Sequence, residues 1–384
     1  MNNENFIIDY LMKCQYFNEY NLNSDVEKVL FDFIEKIRES LKKIDLNSNI
    51  TISEIYQDNV FTKEDTTYFH ESIQDDIMEN YQDGLKIEYS NERFNVILNF
   101  YRMKNNKVTR EKILKYVHQM LAWLTIIKEY EIDDCVKNLD VDIFLTKQKK
   151  TLPEIKEKVI GPKNVNTAYT YRCVHGSTSI KLYREEDLMK VFFHETFHTF
   201  NMDFLNTGKK EIQKLFNIDS SISIFESYCE TWARIFHSLF LCVKYTSNNE
   251  TAMKYFTTIM CLESLHSLLQ SKKILKYMGL TFHDVINNTR RLNERFKEDS
   301  HVFSYYFVTA ILMLNINDFI KFCINNNMNA LKFNPKKLDE YVILIDDAKK
   351  SMCTNKCIKY YNQNNYNKMI IEEPNLKMVL FEMF

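Results

Sequence analysis

Val191-Phe-Phe-His194-Glu195-Thr196-Phe197-His198-Thr-Phe200 is the stretch on which the reading of this chain turns. Its apolar residues predict a buried helix. Two histidines four positions apart then stand on one helical face, so both imidazoles can reach a single metal ion. Glu195 projects about 100° around the helix from His194, where its carboxylate can take a proton from water at that ion without ligating it. A histidine pair beside a solvated glutamate is also an ordinary helix face, so the neighbourhood has to decide.

A catalytic zinc needs a third protein ligand and an open fourth position. Ser223-Ile-Phe-Glu226-Ser-Tyr-Cys-Glu230-Thr-Trp-Ala-Arg234 supplies candidates on a second predicted helix, with Phe225, Trp232, Phe236 and Leu239 forming its apolar side. Glu-x-x-x-Glu on a helix is by itself usually a solvated face. Two carboxylates turned toward a core are costly unless a metal and a metal-bound histidine satisfy them. We therefore assign Glu226 as third ligand and Glu230 as acceptor for the free ring N–H of a liganding histidine. The reversed roles stay open.

These segments resemble the gluzincin division of the zincin metallopeptidases, in which HExxH is followed by Glu-x-x-x-(Asp/Glu) on the next core helix. Glu226-Ser-Tyr-Cys-Glu230-Thr-Trp-Ala-Arg234 is similar to the third-ligand helix of lethal-factor-like toxins. Tyr183-Arg-Glu-Glu-Asp-Leu-Met-Lys190-Val-Phe-Phe-His194-Glu-Thr-Phe-His198 resembles uncharacterised metallopeptidase-like proteins of large DNA viruses. The resemblance covers Asn164 to Leu241. It implies Zn²⁺ on His194, His198 and Glu226, and hydrolysis of peptide bonds with Glu195 as general base. In one respect the chain departs from the pattern: no Tyr or His stands shortly before Glu226 to stabilise an oxyanion. The Tyr306-Phe-Val308 run entering an apolar helix is similar to the catalytic-tyrosine helix of angiotensin-converting-type peptidases. Tyr306 is therefore the candidate donor, with Tyr305 and His301 as substitutes, although a tyrosine stripe at helical spacing is more often core. In zincins the strand bordering the cleft pairs with the substrate backbone, which makes Asn166 to Tyr171 the candidate edge and an interior hairpin the alternative.

Composition bounds the rest. With 384 residues and 45% apolar content the chain can bury a large core. Gly 5 and Pro 4 are low counts, which favours helices, and the abundance of Asn, Lys, Ile, Phe and Tyr resembles the output of an AT-rich genome, as in many giant viruses. A formal charge of −2 gives no electrostatic footprint for nucleic acid or anionic lipid. Nine irregularly spaced cysteines point to reduced thiols. Met1-Asn-Asn-Glu-Asn5 has no basic n-region, and the longest apolar stretch, Phe303 to Ile316, is broken by Ser304 and Asn315. The expectation is an intracellular, cytoplasmic protein, host cytoplasm or virion included, whose partner is a peptide or protein substrate rather than nucleic acid or membrane.

The expected architecture is α+β and predominantly helical: an N-terminal helical region over 1–80, a small mixed sheet with the HExxH helix over 81–205, and a helical C-terminal part over 206–384. Ser24-Asp-Val-Glu27 reads as a capping box opening a helix with apolar Val26, Val29, Leu30, Phe33, Ile34, Ile37 and Leu41. Gly84 to Phe100 reads as a hairpin, Thr109 to Tyr130 as a long helix, and Val141 to Leu145 as a strand. The Lys147 to Lys150 run reads as a solvated loop. His237 and His266 read as core or surface histidines, and Cys353 and Cys357 as free thiols. Two other classes compete with the peptidase: a catalytically inactive zincin-fold structural or host-interaction protein, and a metallo-carboxypeptidase or amide hydrolase. A cationic group for a terminal carboxylate would mark the last, and Arg172 or Arg184 could supply it.

Overall fold

The computed structural model describes residues 3–46, 50–56, 69–154, 159–204, 215–218, 223–363 and 368–384, so the boundary expected at 205–206 lies outside them. Six strands form one mixed sheet: β1 (Ile50–Ile55), β2 (Tyr81–Ser90), β3 (Asn95–Met103), β4 (Val136–Phe144), β5 (Ala168–Thr170) and β6 (Gly176–Leu182), in the order β1-β2-β3-β4-β6-β5. β2 and β3 are the expected antiparallel hairpin, with Leu85 opposite Phe100. β3, β4 and β6 run parallel, and β5 returns antiparallel on β6 at the sheet's end. The segment 1–80 is thus not wholly helical, because it contributes the opposite edge, β1.

Five helices matter for the site: α1 (Ser24–Lys43), α2 (Arg110–Tyr130), α3 (Leu188–Thr199), α4 (Ile224–Tyr245) and α5 (Asn249–Tyr277). α1 buries Val26, Leu30, Phe33, Ile34 and Ile37 on one side, as its period requires, while Val29 and Leu41 at the margins of that face are only partly buried. Its capping box does not form. Ser24 is already helical, and the N-cap is Asn23, whose carbonyl accepts from Glu27 N at 2.8 Å with no side-chain cap. α2 is capped by the Thr109 hydroxyl, which accepts from Lys112 N at 3.2 Å.

One apolar cluster draws on all three parts of the chain, with Val26, Leu98, Leu239 and Met378 among its members. A smaller one, including Ile73, Ile77, Tyr101, Phe144 and Tyr183, covers the other face of the sheet, as the period-2 alternation of β3 dictates. α3 lies between β5 and β6 on one side and α2 and α4 on the other. Trp123 of α2 fixes its back: the indole N–H donates to Thr196 Oγ1 at 2.7 Å and the ring packs edge-on to Phe193.

Three expectations are corrected here. Cys135 and Cys173 form a disulfide, so the cysteines are not all reduced; the other described cysteines, including Cys353 and Cys357, are free. Lys150 is fully buried rather than solvated, because Asp187 Oδ2 lies 2.6 Å from its ammonium. The C-terminal part is not all helix: residues 373–384 run as an irregular strap that buries Leu376, Met378, Val379, Leu380 and Met383. Its amides are held by carboxylates, Met378 N and Val379 N by Asp187, and Leu380 N and Phe381 N by Glu263. Among the described residues no single helix is long and apolar enough to cross a membrane, and the apolar pair Phe303–Leu314 and Ile316–Asn326 is bent by 93°.

Candidate active site

α3 opens at Asp187, which sits in the left-handed region at φ 61°, and closes at a Schellman turn. In that turn Asn201 (φ 54°) donates to His198 O at 3.0 Å and Met202 N donates to Phe197 O at 2.8 Å. The turn sends the chain back under the helix end. There Asp203, wholly buried, accepts from His198 Nδ1 at 2.7 Å. The Arg172 guanidinium donates to the same carboxylate oxygen.

Facing α3, the start of α4 brings Glu226 to both histidines. His194 Nε2 lies 3.1 Å from His198 Nε2 and 3.1 Å from Glu226 Oε2, and His198 Nε2 lies 3.4 Å from that oxygen. A tetrahedral ion with bonds of about 2.0–2.1 Å would set its ligand atoms about 3.3 Å apart, so two imidazole nitrogens and one carboxylate oxygen already stand at the spacing zinc requires. Glu230 stands elsewhere. Its Oε2 is 3.2 Å from His194 Nδ1, on the other side of the ring, though not aligned for a full hydrogen bond. Lys190 Nζ and Arg234 Nε each donate to Glu230 at 2.9 Å. Glu226 thus stands beside both Nε2 atoms, and Glu230 behind the His194 ring.

Electrostatics follow from this burial. Burial raises the Glu195 carboxyl above its ordinary value, with the two histidines opposing, which suits a proton acceptor. Burial also works against ionised Glu226, but His198 and His194 outweigh it and hold the carboxyl well below the usual range. For Glu230 the same contest is won by Lys190 and Arg234.

A narrow cavity of about 50 Å³ lies against this face. It is lined by His194, Glu195 and Glu230, by Asn166 to Ala168 leading into the edge strand, and by Tyr305, Met378, Lys150 and Lys190. The expected edge is therefore beside the site, with β5 itself shorter than Asn166 to Tyr171. Tyr305, not Tyr306, faces it. Residues Phe303–Val308 form a π turn, which adds a residue per turn and shifts the face a 3.6 period would present. The Tyr305 ring is 5.8 Å from His194, and its hydroxyl has no hydrogen-bond partner among the described residues. Burial, then Glu226, Glu195 and Glu230, pushes its phenol well above the ordinary value, so it stays a donor. Tyr306 is turned into the core, where its hydroxyl donates to Leu376 O at 2.7 Å. His301 does not line the cavity; its ring is 6.4 Å from that of Tyr305.

The other singled-out residues have structural partners. His237 is 2.8 Å from Phe381 O, and His266 is buried beside Gln270. Arg172 is engaged with Asp203, and Arg184 is buried with Nη2 donating to Lys163 O at 2.6 Å, so neither offers a cation to the cavity. Asp203, Lys150, Lys190 and Met378 are what sequence reasoning missed, while Tyr305 was held only as a substitute for Tyr306. Asp203 alone carried a local signal, an acid two residues beyond an Asn that can end the HExxH helix.

Over 223 residues, 56% of its length, the chain is 27% identical to an uncharacterised protein of Acanthamoeba polyphaga mimivirus, and the match spans 54% of that protein. The chain thus has a relative in a large DNA virus, about half of whose length it covers. No family model and no solved structure matches the chain.

Proposed function

We propose that this chain is a zinc-dependent metallopeptidase of zincin-like fold that hydrolyses peptide bonds. The observation that supports this most directly is the triangle of His194 Nε2, His198 Nε2 and Glu226 Oε2, with sides of 3.1–3.4 Å, beside a buried Glu195 in a cavity that reaches a sheet edge. Zinc, when bound there, lowers the pKa of water toward ~7 and polarises a carbonyl.

The chain's own residues do the rest. Asp203 fixes the His198 ring through its hydrogen bond to Nδ1, and the Glu230 carboxylate lies 3.2 Å behind His194 Nδ1, so that both Nε2 atoms face one point. Glu195 takes the proton of the attacking water on its carboxylate and returns it to the departing amide nitrogen. The Tyr305 hydroxyl donates to the oxygen on which negative charge develops. The backbone around Asn166 to Ala168 aligns an extended substrate by strand addition.

One observation favours a second reading, an inactive zincin-like binding protein. A cavity of 50 Å³ holds only a few waters, so a peptide must widen it to enter. Metal analysis of the purified full chain, followed by digestion of a peptide library with and without chelator, separates the two. Close to one zinc per chain with chelator-sensitive cleavage supports the peptidase, zinc without cleavage supports the binding protein, and no zinc after supplementation sinks both.

A further inference from the structure

Two ammonium groups in the wall of the cavity take no part in the chemistry of the peptidase reading. Lys150 and Lys190 are 0% and 2% exposed, and both line the same cavity as His194 and Glu195. A buried ammonium is costly unless its donors are used. Each has three N–H donors. Lys150 spends one on Asp187 Oδ2 at 2.6 Å. Lys190 spends one on Glu230 Oε2 at 2.9 Å and points a second at the Met378 thioether sulfur, 3.0 Å away and a weak acceptor. Glu230 cannot give more. Its two oxygens already accept from Lys190 and Arg234 Nε, and one lies 3.2 Å from His194 Nδ1, while Arg234 Nη1 and Nη2, equally buried, have no hydrogen-bond partner. The nearby Glu263 carboxylate is committed to the amides of Leu380 and Phe381. Positive donors therefore outnumber acceptors in this wall of the cavity.

Position gives this excess a use. Lys190 precedes His194 by one helical turn on the same face, about 6 Å along the axis. One extended residue advances a chain by about 3.3–3.6 Å, and its side chain reaches a similar distance outward. We propose that Lys150 and Lys190 form a carboxylate subsite for the residue that follows the scissile bond. The carboxylate is either that residue's own chain terminus or an Asp or Glu side chain. Lys190 uses the donor now turned to Met378, and Lys150 its unspent donors. The assignment of the subsite to the residue after the scissile bond rests on the peptidase reading, but the recognition of a carboxylate does not.

The test uses three probes on the full chain, as purified and after chelation, since a carboxylate could also bind a metal directly. N-acetylglutamine offers only an α-carboxylate, N-acetylglutamate α-amide only a side-chain carboxylate, and N-acetylglutamine amide neither. Equilibrium titration should show at least one of the first two binding 10-fold or more tighter than the third, with the preference surviving chelation. The tighter one names the source of the carboxylate. Lys190→Met and Lys150→Gln should each erase the preference, with circular dichroism confirming the fold; Lys150→Gln keeps a donor for Asp187. Equal binding of all three probes, or a preference that survives both substitutions, overturns the subsite. A carboxylate preference in a protein that cleaves no peptide overturns the peptidase reading instead and leaves the subsite standing.

Discussion

The wall of the cavity formed by α3 and α4 takes its polar groups from two adjacent helices at four-residue spacing, whereas the facing wall gathers Tyr305 from a π turn, Lys150 from a loop and Met378 from the C-terminal strap. The first wall is set by helix geometry, which is local, so HExxH and Glu-x-x-x-Glu are legible in the sequence alone. The second depends on contacts between residues far apart in the chain, such as Lys150 O with Leu376 N. Rigid local geometry suits a metal, and an assembled wall can change with less consequence for the metal. That contrast can be broken by experiment.

The largest effects belong to the first wall. His194→Ala, His198→Ala and Glu226→Ala should each strip zinc from the purified protein, measured as metal per chain. Glu195→Gln should retain zinc and lose hydrolysis by about 10²–10⁴-fold, since only the proton acceptor is removed. If Glu230→Ala strips zinc while Glu226→Ala keeps it, the separation of the two glutamates is wrong. Next is the facing wall. Tyr305→Phe should lower kcat by about 10²–10³-fold with little change in KM or zinc content, because the hydroxyl acts only as charge develops. Tyr306→Phe should instead lower the melting temperature, through the lost bond to Leu376 O, and leave turnover per folded molecule nearly unchanged. The reverse pattern would restore Tyr306 to the site.

Intermediate effects fall on the residues behind the histidines. Asp203→Asn and Glu230→Gln should each cost roughly 10–100-fold in zinc affinity, less than loss of a ligand, read by competition with a chelator of known affinity. An Asp203→Asn protein that holds zinc as tightly as wild type would mean that the Schellman turn, not the carboxylate, orients His198.

What was legible follows the same division. The β2–β3 hairpin, α2 and the HExxH helix each carry their pattern within a short window, and they form as read. Ser24 misled because Asn23, one residue earlier, is an equally good cap. Tyr306 misled because a 3.6 period fails across a π turn. Lys150 looked solvated because its partner Asp187 lies 37 residues away, on the helix it helps to start. The Cys135–Cys173 bridge, joining the start of β4 to the loop before β6, has no spacing signature at all.

The smallest expected effect concerns stability alone and lies in the strap behind the second wall. Glu263 of α5 accepts from Leu380 N and Phe381 N, and burial raises its carboxyl from 4.5 to about 7 despite those amides. Between those values the folded protein keeps a proton that the unfolded chain has released. The folded state then binds more protons, so this group's contribution to stability is full below pH 4.5, falls as pH rises toward 7, and is flat beyond. Glu263→Gln removes the titration and keeps the shape, with its amide oxygen able to accept one of the two amides. The wild-type melting temperature should therefore exceed that of the variant by most near pH 5, and by less near pH 7.5, while metal content stays the same in both. A difference that does not change with pH would show that the strap is held by packing of Leu376, Met378 and Leu380 and not by a protonated carboxyl. It would also sharpen the contrast between the walls, leaving α3 and α4 as the side where charge decides the structure.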